Sequence, residues 1–187
     1  VQASGTGSAA GVRTALFVAL NATALSGADT ITITHGSVTA SAAGALEFSG
    51  IATSSALDKS SSSASSGTSV SSGTTATLSS QPQLCFGVIG MESDQTRAVA
   101  GTYLLTEFNG NFGSTSGGGE TSNINCNCQY EFVTSTTGRA AGYTAGASRD
   151  WTAVIGTYTL VSKGYGAGSP KLVINGSESS ITLTTTN

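Results

Sequence analysis

His35 is the single histidine of the chain, standing at the end of the run Thr30-Ile31-Thr32-Ile33-Thr34 and directly before Gly36. A hydrolytic triad needs a histidine held between a nucleophilic hydroxyl and an orienting carboxylate. With 30 serines among 187 residues, a hydroxyl falls near His35 by chance in almost any fold. No Gly-x-Ser-x-Gly elbow fixes one there, so His35 reads as a solvent-facing turn residue. Glycoside hydrolysis asks for two carboxylates facing each other across a cleft. The eligible acids are Glu92, Asp94, Glu107, Glu120, Glu131 and Asp150, and no spacing pairs them; they read as solvated groups or turn acceptors. Glu92-Ser93-Asp94 follows an apolar run, where a calcium loop often sits, but it lacks the alternating acidic spacing of a dedicated one.

Cys126-Asn127-Cys128 is a conceivable soft-metal pair, yet no second pair and no nearby histidine completes four zinc ligands. With Cys85 the cysteines number three, which leaves no even disulfide framework. Cys126 and Cys128 share one face of an extended strand, with Cα atoms near the upper limit for a bridge, so Cys85 is the one partner open to either. Three buried, free thiols acting as small hydrophobes are expected. Tyr103, Phe108, Phe112, Tyr143 and Tyr165 would make a sugar-stacking platform if several shared one rim, and the Gly-rich contexts of Tyr143 and Tyr165 favour exposure. The sequons at Asn21 and Asn175 are frequent in any chain this rich in Asn, Ser and Thr. No catalytic, metal or cofactor-binding residue is assigned, and no cofactor is expected.

The elements that would position these residues are strands. Beside 30 Ser there are 28 Thr and 25 Gly, and charged residues make up 9%. Such a composition favours short strands joined by polar turns. Val12 to Leu20 and Asp29 to Thr34 are expected to pair as a hairpin around Ser26-Gly27. A strand is expected within Ser37 to Phe48. Lys59 to Gly73 is nearly pure Ser, Gly, Ala and Thr, the composition of a flexible linker. Further strands are expected at Thr74 to Leu78, Leu84 to Ile89, Thr102 to Phe108, Ile124 to Val133, Arg139 to Thr144 and Trp151 to Val161, with Asn109-Gly110 as a turn. In Ile124 to Phe132 the alternation sends Ile124, Cys126, Cys128, Tyr130 and Phe132 to one face and Asn125, Asn127, Gln129 and Glu131 to the other. That apolar row, with Trp151 and the Val154-Ile155 pair, marks the expected core. A Gly-rich connector and a second hairpin, Leu172 to Ile174 and Ile181 to Thr186 about Asn175-Gly176, close the chain. The expected fold is an all-β antiparallel sandwich over residues 1–162, with residues 163–187 as a connector and hairpin extension.

The stretch from Gly67-Thr68-Ser69-Val70 to Thr77, followed by Gln83-Leu84-Cys85-Phe86-Gly87-Val88-Ile89-Gly90, resembles a jelly-roll or lectin-like module of bacterial surface proteins and phage structural proteins. Gln129 to Val133 and Ser148-Arg149-Asp150-Trp151-Thr152-Ala153-Val154-Ile155 are similar to its closing strands. The resemblance covers Val12 to Leu160 and implies that the Ser-rich stretch links strands within one domain. It carries strand and turn patterns, so it implies architecture and location, and no functional residue is carried over. Members have further strand-forming sequence before the segment matching Val12, so the appended hairpin is expected to complete a sheet, in this subunit or a neighbour.

A net charge of −3 leaves no clustered Lys and Arg for phosphate, so nucleic acid is not an expected partner. Ala15 to Leu20 and Trp151 to Leu160 fall short of the ~20 apolar residues that span a bilayer, so no membrane insertion is expected. The expected function is non-enzymatic: a structural subunit of a surface assembly, virion decoration, cement, fibre or extracellular filament, partnered by copies of itself or other subunits. The alternative is a carbohydrate-binding or adhesion module that meets surface glycans.

Overall fold

A computed structural model of the chain describes residues 12–23, 30–93 and 123–161 in full, and the backbone alone at 2–6, 97–98, 106–114, 166–167, 171–176 and 180–184. Among the described residues there is no helix. The strands in chain order are β1 (Gln2–Thr6), β2 (Arg13–Phe17), β3 (Thr30–Thr34), β4 (Ser41–Ala45), β5 (Phe48–Ser49), β6 (Leu57–Ser71), β7 (Gln83–Glu92), β8 (Arg97–Ala98), β9 (Thr106–Ser114), β10 (Ile124–Val133), β11 (Gly142–Thr159), β12 (Gly166–Ala167), β13 (Lys171–Gly176) and β14 (Ser180–Thr184). The main sheet has the spatial order β6-β11-β7-β10-β9, with β8 joining β11, and every neighbour is antiparallel.

The first part of the chain pairs with the last in nearly constant register. Thr30 opposes Thr184, Ser41 opposes Gly176 and Phe48 opposes Ala167. Ile51 bridges Leu160, and the ladder continues from Leu57↔Tyr158 to Ser71↔Gly142. Residues 30–71 and 142–184 thus form one interrupted antiparallel ribbon, and the loop of the ribbon carries β7, β9 and β10.

This pairing corrects both expected hairpins. β2 pairs with β1, Arg13 opposite Thr6, while β3 pairs with β14 and puts Ile31 and Ile33 opposite Leu183 and Ile181. β13 and β14 likewise take β4 and β3 as partners, and are not laddered to each other. The local turn signals mark changes of direction, and long-range packing selects the partner, as β-propensity alone cannot. The expected turn Asn109-Gly110 lies inside β9, where the β10 register slips between Cys126 and Cys128. Thr74 to Leu78 is not a strand: it runs beside 136–139 through Thr75 N to Arg139 O at 2.9 Å and Leu78 N to Thr136 O at 2.8 Å.

Both faces of the main sheet are covered. On one, Leu16 of β2 packs with Val88, Cys126, Cys128 and Val154, flanked by Ala42, Leu46 and Phe86. Thr14 Oγ1 donates to Thr152 O at 3.1 Å and Thr152 Oγ1 donates to Val12 O at 3.0 Å, which locks β2 over β11. On the other face β11 folds back across its own sheet beyond a register break between Thr144 and Arg149. Val70, Tyr143 and Ala145 then cover Ile89, Met91, Trp151 and Ala153, while Leu78 and Ala141 cover Cys85, Val133 and Ile155. The expected core residues Trp151, Val154 and Ile155 are buried. So is the polar row Asn125, Asn127 and Gln129, because the fold-back lies above it. Gln129 serves there as a surrogate strand: Nε2 donates to Gly142 O and Oε1 accepts from Gly142 N, both at 3.0 Å. At Gly87 the layers touch closely, since an added Cβ would overlap the Ala141 methyl.

Candidate functional site

The Ser-rich stretch, expected as a linker, is β6, the terminal strand of the main sheet. Its side chains bury little, so the ladder itself holds it: each residue from Lys59 to Ser66 opposes one of β11, from Thr157 to Asp150. Tight anchors fix its start. Asp58 Oδ1 accepts from Lys59 Nζ at 2.7 Å, and Oδ2 accepts from Ser79 N at 2.7 Å and Gln83 Nε2 at 2.6 Å. Burial pushes the Asp58 carboxyl upward, but hydrogen bonds from Gln83, Lys59 and Ser79 outweigh it and hold the group well below the usual carboxylate range. Lys59 Nζ also donates to Ser79 Oγ at 2.6 Å, which turns the one cation of the strand back onto its own subunit. At the far end Ser61 Oγ donates to Ser72 O at 2.8 Å, and Ser72 Oγ accepts from Ala141 N at 3.0 Å.

Backbone direction along this edge follows from the neighbouring bonds. Thr159 N donates to Ala56 O at 2.8 Å, Ala52 N donates to Thr159 O at 2.9 Å, and Lys59 N donates to Thr157 Oγ1 at 3.1 Å. Odd-numbered residues of β11 therefore face β6, and their opposites Lys59, Ser61, Ser63 and Ser65 face β11 in return. Of the intervening positions, Ser60, Ala64 and Ser66 aim N–H and C=O away from β11. From Ser60 to Ser71 the strand has no charge and no proline.

A second feature gathers around Phe48. Its ring centroid lies 5.7 Å from Phe86, 5.2 Å from Tyr130 and 6.2 Å from Phe132, each edge to face. All four rings are half-buried, with Val18, Leu20 and Ile51 beside them. The same-face row Tyr130 and Phe132 was legible as alternation, but its convergence with Phe48 and Phe86 needed the β5 placement. Of the platform expected from sequence, Tyr143 is fully buried and its hydroxyl donates to Met91 Sδ at 3.4 Å. The side chains of Tyr103, Phe108, Phe112 and Tyr165 lie outside the described residues.

The remaining candidates are dispersed. His35 Nδ1 lies 2.8 Å from Gly36 O, a local contact. Glu131 meets Arg139 Nε at 3.5 Å. Glu92 is buried and accepts from Asp150 N at 3.4 Å, which brings those two acids to adjacent strands. The side chains of Asp94, Glu107 and Glu120 lie outside the described residues, and no group of three or more His, Cys, Asp or Glu that could hold a metal occurs among the described ones. Asn21, exposed, adopts φ 54°, while the side chain of Asn175 is not described.

The three thiols are free and buried. Cys85 belongs to the fold-back side with Leu78 and Ile155, whereas Cys126 and Cys128 belong to the β2 side with Leu16. The sheet separates them, so Cys85 is no partner for either, a correction that follows from register: Cys85 opposes Glu131. Burial pushes the Cys85 thiol up to about 12, with Arg139 drawing it down and Glu131 adding to the rise. A hydrogen bond with Cys126, followed by burial, raises Cys128 well above the ordinary thiol range. Comparison with protein families, curated proteins and solved structures returns no match to the chain.

Proposed function

We propose that the chain is a jelly-roll-like β-sandwich serving as a structural subunit of a surface assembly, such as a virion decoration, cement, fibre or extracellular filament, and that it acts through subunit contacts and not catalysis. The interrupted ribbon that pairs β3, β4, β5 and β6 with β14, β13, β12 and β11 supports the jelly-roll reading, since that architecture rolls antiparallel strand pairs into two covering sheets. The observation that carries the functional reading is the outer edge of β6. Proteins normally blunt a long edge with charge, proline or a covering segment. This one is long, uncharged beyond Lys59 and made of small residues, which suits contact with another subunit. Immuno-electron microscopy of material from the native source tests the reading. Regularly spaced label on particles or filaments is expected, and label confined to unassembled protein would contradict it.

The Phe48, Phe86, Tyr130 and Phe132 cluster favours a second reading, a carbohydrate-binding or adhesion module, because half-buried rings offer faces to sugar C–H groups. A glycan array checks it: specific binding, lost in Tyr130→Ala while circular dichroism is unchanged, would favour adhesion.

A further inference from the structure

We infer that Cys126 and Cys128 form a two-sulfur site for a soft divalent cation that takes two ligands, mercury(II) being the type. Neither residue takes part in the subunit contacts proposed above. Both lie on one face of β10, and their sulfurs share a hydrogen bond. The strand is irregular at this point: Cys126 opposes Phe112 and Cys128 opposes Phe108, so β9 uses four residues where β10 uses two, and its ladder skips Asn127. Such a slip loosens the pleat locally and increases the twist. An extended strand sets the two Cα atoms about 6.6 Å apart. That is close to the ~6.8 Å beyond which sulfurs do not bond directly. Sulfurs so placed reach a common atom between them more readily than they reach each other.

The surroundings choose the ion. The pair packs with Leu16, Val88 and Val154, flanked by Ala42, Leu46 and Phe86, and no charged side chain belongs to that cluster. The Thr14 hydroxyl, which stands over Gly90 opposite Cys126, is committed to Thr152 O. Thiolates select soft cations, and an ion satisfied by two ligands needs nothing beyond this pair, unlike zinc, which takes four. Two thiolates carry two negative charges, so a divalent ion leaves a neutral complex. A monovalent ion would leave a buried anion without a partner, which an apolar cluster disfavours. Binding breaks two S–H bonds, forms two metal–sulfur bonds and releases two protons to solvent, with no change of oxidation state. Cys126 keeps 8% of its surface exposed against 1% for Cys128, so the ion meets Cys126 first and Cys128 closes the site. Cys85, on the other face of the sheet, offers a single sulfur.

Mercury(II) chloride added to the reduced full chain, in a moderate excess of reduced glutathione, tests this by native mass spectrometry and thermal melting. One ion per chain is expected, with two protons lost. Two sulfurs on one strand hold the ion at an effective concentration that a free monothiol lacks, so glutathione strips mercury from Cys85 and leaves it on the pair. Cys85→Ser is expected to keep the ion, and Cys126→Ser and Cys128→Ser are each expected to lose it. Alanine at the same position replaces any serine variant that fails to fold. Because the fold holds both sulfurs together, mercury should raise the melting temperature of the wild type and of Cys85→Ser, and leave that of the other two variants unchanged. Loss of the ion from the wild type to glutathione would overturn the inference. So would its retention by a chain lacking Cys126 or Cys128, or binding that fails to raise the melting temperature, which would place the ion on the opened chain.

Discussion

Trp151 fills the space between the sheet and its fold-back, enclosed by Val70, Ile89, Met91 and Tyr143. Truncating it to Ala removes the transfer energy and leaves a cavity, a loss of about 3 to 5 kcal/mol. Urea unfolding measures it, and a loss under 1 kcal/mol would show that the side chain is not enclosed. Gly87→Ala acts in the opposite sense by forcing an atom against Ala141, and about 1 to 3 kcal/mol is expected from overpacking. The thiols give a chemical check on the same layers. Alkylation without reductant should add three labels in denaturant, and native labelling should be slow, because burial keeps Cys85 protonated and the hydrogen bond with Cys126, together with burial, does the same for Cys128. A single label in denaturant would mean a bridge between sulfurs that the sheet here keeps apart or sets side by side. Asp58 gives a pH dependence with a definite sign. Its carboxyl is depressed in the folded chain, so its contribution is complete above the unfolded value of about 3.9 and is lost as pH falls below it. Melting temperature should drop through that acid range, and Asp58→Asn should flatten the drop. An identical acid limb in the variant would remove Asp58 from the account.

At the scale of elements, the terminal strands complete the fold from within the subunit. β13 and β14 supply the partners of β4 and β3, so deleting Lys171 to Asn187 leaves two strands with unpaired edges and uncovers part of β9. Loss of soluble monomer or a lower melting temperature is expected, and a deletion that melts as the full chain does would show that the pairing contributes little. Where sequence was informative, it was through alternation. The row Cys126, Cys128, Tyr130 and Phe132 packs on one side as the period of two requires, and Val154 and Ile155 are buried on opposite sides of one strand. Alternation says nothing about what covers the opposite side. Asn125, Asn127 and Gln129 look solvent-facing by type, yet the fold-back of β11 buries them, and that depends on a register break some twenty residues away in sequence. The hairpin expectations failed for the same reason: Ser26-Gly27 and Asn175-Gly176 are local, and the partners of β3 and β13 are more than a hundred residues distant.

For the whole molecule, the all-β class follows from composition, whereas the position of β6 does not. Ser and Ala from Ser60 to Ser66 have the composition of a linker, and they become a strand because β11 supplies an opposite for every residue and Asp58 pins the start. The Phe48 cluster was equally illegible, since it joins residues from three separated stretches. Residue-resolved amide exchange along β6 tests the central claim, that this stretch is an ordered edge through which subunits meet. In dilute protein the amides of Lys59, Ser61, Ser63 and Ser65 should exchange slowly and those of Ser60, Ala64 and Ser66 quickly, while in the assembled state both sets should be slow. Uniformly fast exchange from Lys59 to Ser71 in both states would contradict the account.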